Sequence, residues 1–72
     1  MRENIDELDV VALTTDVPAQ RLTRGQVGTV VHKYTPEAFE VEFVDQEGRT
    51  YAITTLQHHQ VLRLRFEVAT GT

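Results

Sequence analysis

The chain has no cysteine and no tryptophan among its 72 residues. Without cysteine there are no disulfides, no thiolate metal ligands and no thiol nucleophile, so stability must come from packing, a partner or self-association. Proline occurs only twice, and no apolar run exceeds a few residues. That excludes a spanning helix, and no stretch has the length of a signal-peptide core. A cytoplasmic protein is the expectation, with no membrane contact.

Positive charge is also scarce, with seven Lys and Arg against eleven Asp and Glu and a net charge of -4. A nucleic-acid binder needs a positive field to displace counterions from phosphates, and the global field here has the opposite sign. Nucleic acid is therefore not the expected partner. Local basic patches remain open at Arg21 with Arg24, and at Arg63 with Arg65, which share one side of a strand.

What the chain does have is β-branched and alternating segments punctuated by glycine. Residues 9–14 form an apolar, β-branched first strand. Residues 16–22 hold Pro18, which lacks an amide donor, and read as a long surface loop. Gly25 marks a turn conformation closed to other residues. Gly28 marks a bulge or a close backbone approach within a second strand over 26–34. Residues 35–38 turn the chain again.

The third strand places Phe39, Val41 and Phe43 on one face and Glu40 and Glu42 on the other. A three-residue loop, Gln46-Glu47-Gly48, with Gly48 in the left-handed position, sets Phe43 opposite Tyr51 and Val41 opposite Ile53. The fourth strand then runs over 49–54 with Thr50, Ala52 and Thr54 outward. Residues 56–60 are too short and polar for a helix, so a single 3₁₀ turn is expected. The last strand turns Leu62, Leu64, Phe66 and then Val68 inward, with Arg63, Arg65 and Glu67 outward. The expectation is one domain over 1–72, all-β, a small SH3-like barrel of about five antiparallel strands, with a core over about 8–66 and a frayed end at 67–72.

Asp9-Val10-Val11-Ala12-Leu13, Arg24-Gly25-Gln26-Val27-Gly28-Thr29-Val30-Val31, Glu40-Val41-Glu42-Phe43-Val44-Asp45 and Gly48-Arg49-Thr50-Tyr51-Ala52 follow one another in a distinctive order and spacing. In these segments the chain resembles the small, mainly bacterial family called domain of unknown function 4926, over about 8–64. That resemblance brings no activity and no catalytic residues. A second similarity, at Gly25, Gly28 and Val30, runs to KOW-type ribosomal and transcription-factor modules. Those modules are usually basic around this turn, whereas here only Arg24 and Lys33 are.

No residue cluster names a reaction. Gly25-Gln26-Val27-Gly28 lacks the Lys-Ser/Thr pair of a phosphate loop and leads into a strand, so a barrel turn is the better reading. Glu40 and Glu42 stand roughly 7 Å apart by strand rise, a spacing open to paired-carboxylate chemistry but far commoner on solvated strands. His58 and His59 diverge in extended backbone, and a zinc site needs three or four ligands. The expectation is a non-enzymatic protein-binding module with no cofactor, a regulator or an antitoxin- or immunity-type partner of a more basic protein. Its partner surface would use Glu37, Glu40, Glu42, Arg21 and Arg24, with Gly25, Gly28 and Gly48 as structural turns. A homodimer is also expected, and the alternative is a KOW-like RNA- or ribosome-binding adaptor.

Overall fold

The alternating segments become five strands in the computed structural model, which describes residues 3–66. They are β1 (Val10–Leu13), β2 (Val27–Thr35), β3 (Ala38–Val44), β4 (Thr50–Gln57) and β5 (Val61–Arg63). All pairings are antiparallel, in the order β4-β3-β2-β1-β5. Strands β4 and β5 are the two edges and do not pair with each other, so the sheet is open. The described residues hold no α-helix, only 3₁₀ turns at Pro18–Gln20 and His58–Gln60. No helix among them is long and apolar enough to cross a membrane.

The core gathers the inward side of every strand: Val11 and Leu13 of β1, Val30 of β2, Phe39, Val41 and Phe43 of β3, Leu56 of β4 and Val61 of β5. Two further side chains close it from outside the sheet. Leu22 is buried although it lies in the expected surface loop, because Val17 and Leu22 exchange backbone hydrogen bonds around the Pro18–Gln20 turn and fold the loop inward. Ile5 is buried ahead of the expected core boundary at position 8. A turn in which the Asp6 carbonyl accepts from Asp9 N and the Asp9 carboxylate accepts from Asp6 N carries that segment into β1.

Gly28 sits at a close approach of β2 and β3, where an added Cβ would stand 2.7 Å from Val41 Cγ1. It pairs with Val11 on one side, and the β2–β3 register sets Phe43 on the other. Across Phe43 lies Ala52. The row Val11, Gly28, Phe43, Ala52 thus alternates large and small, and the phenyl ring fills the space its neighbours leave.

The loop joining β3 to β4 forms as its sequence implies. Gly48 N donates to the Asp45 carbonyl at 3.0 Å, Asp45 N donates to the Arg49 carbonyl at 2.9 Å, and Gly48 adopts φ 83°. Nothing lies within 4 Å of the position a Cβ would take there. The cost of a side chain at this site is therefore conformational alone. Gly48→Val is expected to destabilise the fold by about 1–2 kcal/mol, read as a lowered urea midpoint at unchanged slope.

Beyond that loop the expected register is corrected. Val44 pairs with Thr50, but Phe43 pairs with Ala52 and Val41 with Thr54, so a second irregularity leaves Tyr51 as an extra residue. One extra residue exchanges the two faces of everything that follows. Ala52 and Thr54 turn inward instead of outward, while Tyr51 and Ile53 are exposed. The physical reason lies in the row just described: Phe43 has room for a small neighbour, and Ala52 supplies it where Tyr51 would crowd the ring. The Tyr51 ring stays 6.3 Å from that of Phe43, and its hydroxyl accepts from Gln26 Nε2 at 2.9 Å. Strand β4 also runs on to Gln57, which brings Leu56 into the core.

The faces of the last strand are likewise opposite to expectation. Val61 pairs with Leu13 and is buried, whereas Leu62 pairs with Ala12 and is exposed. Leu64 is half-buried and Phe66 is 76% exposed. The His58–Gln60 turn, closed by reciprocal bonds between Gln57 and Gln60, delivers the chain so that Val61 meets Leu13 first. Val68 and Glu67 lie outside the described residues, as does the expected frayed end.

Candidate interaction surface

The alternation that buries Phe39, Val41 and Phe43 lifts Glu40 and Glu42 onto the outer face of β3. Both carboxylates are held. The Tyr34 hydroxyl donates to Glu40 and the Thr50 hydroxyl donates to Glu42. The hydrogen bond to Glu40 is the main cause that holds the Tyr34 phenol above its ordinary pKa, followed by desolvation and the carboxylate's charge. His32 pairs with Glu40 across the strands, and its ring meets that of Tyr34 edge-on at 4.6 Å. Glu42 lies between Thr29 of β2 and Ile53 of β4.

Glu37 occupies the hairpin between β2 and β3. Its amide donates to Thr35 Oγ1, and its carbonyl accepts from His58 N at 2.8 Å. It therefore stands at the end of the acidic face, beside the second 3₁₀ turn.

Arg21 and Arg24 lie elsewhere, in the loop after β1. Arg21 closes the Pro18–Gln20 turn in a left-handed conformation with φ 58°. The Arg24 amide donates to Asp16 Oδ1 at 2.8 Å, just before Gly25 turns the chain with φ 94°. Both side chains are exposed, and neither guanidinium meets a carboxylate among the described residues. No ion pair links them to Glu40 or Glu42 among the described residues.

Lys33, Arg63, Arg65 and His32, by contrast, each meet a carboxylate. Lys33 Nζ lies 3.0 Å from Asp6 Oδ1. Arg63 lies 3.4 Å from Glu3 and 3.3 Å from Asp9, and Arg65 also pairs with Glu3. His32 Nδ1 is 3.4 Å from Glu7. The N-terminal acids thus lie over the basic side chains of β2 and the chain around β5, and the expected patch at Arg63 and Arg65 is neutralised. The sequence signal for this was the acid-rich run before β1, with Ile5 as the apolar anchor inside it.

The histidine pair is drawn into the scaffold. His58 Nε2 lies 2.7 Å from the Glu3 carbonyl, with its ring 5.9 Å from that of Phe39. The His59 carbonyl accepts from the Thr14 hydroxyl. Among the described residues, no three His, Asp or Glu side chains converge as a metal site would require.

The chain belongs to the family described as Domain of unknown function (DUF4926), whose sequence model matches residues 7–63. No curated protein and no solved structure matches it.

Proposed function

We propose, with membership of that family as the premise, that the domain is a non-enzymatic protein-binding module: a cytoplasmic regulator, or an antitoxin- or immunity-type protein, whose acidic outer face receives a more basic partner. The observation that carries this reading is the outward placement of Glu40 and Glu42 on β3, with three of the cations already engaged elsewhere. Lys33, Arg63 and Arg65 are covered by N-terminal acids, while Glu40 and Glu42 are held outward by neutral hydroxyls. A face of that sign steers a basic protein and repels phosphate backbones. The fold in this reading follows the SH3-like barrel plan, supported by a 3₁₀ turn that leads β5 back to β1.

The alternative, a KOW-like RNA- or ribosome-binding adaptor, is favoured by one observation, the unpaired guanidiniums of Arg21 and Arg24. Lys33, the third cation it would use, is engaged with Asp6. Capture from a lysate of the native host separates the two. Wild-type protein is expected to retain a basic protein that Glu40→Lys/Glu42→Lys, folded by circular dichroism, does not. In parallel, mobility-shift titrations with single-stranded and structured RNA at low salt are expected to show no complex. Micromolar RNA binding abolished by Arg24→Glu would overturn the protein-binding reading in favour of the adaptor.

A further inference from the structure

Strand β4 is an edge with no charge, no proline and, among the described residues, no strand paired to its outer side, although a bulge at Tyr51 bounds it. It is eight residues long, Thr50-Tyr51-Ala52-Ile53-Thr54-Thr55-Leu56-Gln57. The opposite edge, β5, has three residues, and its Arg63 is tied to Glu3 and Asp9. Edge strands are normally blunted by shortness, Lys, Pro or a covering segment, because their free backbone groups template pairing with another chain.

The free groups can be assigned. His58 N donates to the Glu37 carbonyl, and antiparallel bonding alternates from there, so Leu56, Thr54 and Ala52 direct their main-chain groups to β3. Ile53 and Thr55 direct theirs away from the sheet. The next outward amide, Gln57 N, is already satisfied by Gln60 Oε1 at 2.8 Å. At the other end the extra residue Tyr51 interrupts the ladder. The available edge is therefore short and bounded, centred on Thr54.

We propose that this edge pairs with β4 of a second copy of the chain, antiparallel about a two-fold axis through Thr54, joining two open sheets into one. In this register Ile53 lies opposite Thr55 of the second copy and Thr55 opposite its Ile53, with about four hydrogen bonds exchanged. Both are β-branched and lie on the outer face, a favourable cross-strand pair. A copy of the same strand is the occupant the charges select. Strand β4 carries no charge, so its own copy brings no like charge to the seam, and two-fold symmetry matches each outward donor of one copy to an outward acceptor of the other. The nearest acids, Glu40 and Glu42, sit one strand inward. Across the seam they face their counterparts over three strand spacings, roughly 14 Å, beyond the Debye length of about 8 Å at physiological salt. The pairing also leaves Glu40 and Glu42 on the surface, so it is independent of the basic-partner reading.

The seam is small, so the dissociation constant is expected at about 10–100 µM. Sedimentation equilibrium should show a mass rising from 8.2 kDa towards twice that value as concentration increases. Ile53→Lys, which brings a cation beside the seam of each copy, and Thr55→Pro, which deletes an outward donor without touching the bonds to β3, should each raise the dissociation constant at least about tenfold. Hydrogen exchange needs no variant: protection of the Ile53 and Thr55 amides should grow with concentration, whereas that of Thr54 should not. A mass fixed at 8.2 kDa up to about 1 mM would overturn the proposal. So would a dimer unaffected by Ile53→Lys whose Ile53 and Thr55 amides exchange freely.

Discussion

Gly28→Val is expected to leave the chain unfolded at 25 °C, and Gly28→Ala to cost about 3 kcal/mol, the upper end of overpacking penalties. A Cβ at this position would stand 2.7 Å from Val41 Cγ1, 2.9 Å from the Glu42 carbonyl oxygen and 3.0 Å from Phe43 Cδ2. Val41 and Phe43 are fully buried, so neither side chain can swing out into solvent without breaking the core. The carbonyl oxygen is main chain, so relieving that contact means moving β3 against β2. A domain of this size holds roughly 4–10 kcal/mol in total, and valine adds two further methyl groups to a site with no room for one. The comparison that isolates the cause is Gly25→Ala. Gly25 has φ 94° and nothing within 4 Å of its Cβ position, so its loss should be only about 1 kcal/mol of backbone strain. Urea denaturation of the three proteins checks the order. A Gly28→Ala midpoint equal to wild type would mean that β2 and β3 do not approach as described.

The same glycine shows what kind of information the sequence carried well. A glycine inside a β-branched run announces a close approach because no packing benefit compensates for it otherwise. Gly48 announced its loop for a related reason, since the left-handed position there excludes most residues. Alternation on β3 placed Glu40 and Glu42 outside because the buried partners between them are Phe39, Val41 and Phe43. In each case the signal is local.

Sequence and structure part where one residue decides and nothing local marks it. The irregularity at Tyr51 contains no glycine or proline, yet it reverses every side chain after it. On the last strand, alternation declares an amphipathic segment without saying which face is inward. Arg63 and Arg65 read as the outward side until the turn at 58–60 sets Val61, which alternates with them, against Leu13. The covering of Lys33, Arg63 and Arg65 by Glu3, Asp6 and Asp9 joins residues about 27 to 62 positions apart. Charge totals record that both signs are present but carry no trace of which pairs meet.

Leu56→Ala and Ile53→Ala are expected to separate the two registers of β4 by their unequal costs. Paired on local grounds alone, Ile53 would face Val41 in the core and Leu56 would lie in a polar turn. In the structure Leu56 is 1% exposed opposite Phe39, and Ile53 is 51% exposed opposite Glu42. Removing the Leu56 side chain deletes three buried carbons and opens a cavity beneath Phe39, whose ring is held by β2 and β3 and cannot collapse into it. The expected loss is about 2–5 kcal/mol, up to the whole stability of a small domain. Ile53→Ala removes surface contacts only and should lie within about 0.5 kcal/mol of wild type. The measurement must be made at low micromolar protein, where the chain is single and Ile53 has no partner across the seam. Equal losses for the two variants, or a larger one for Ile53, would restore the unshifted ladder and return Tyr51 to the inner face.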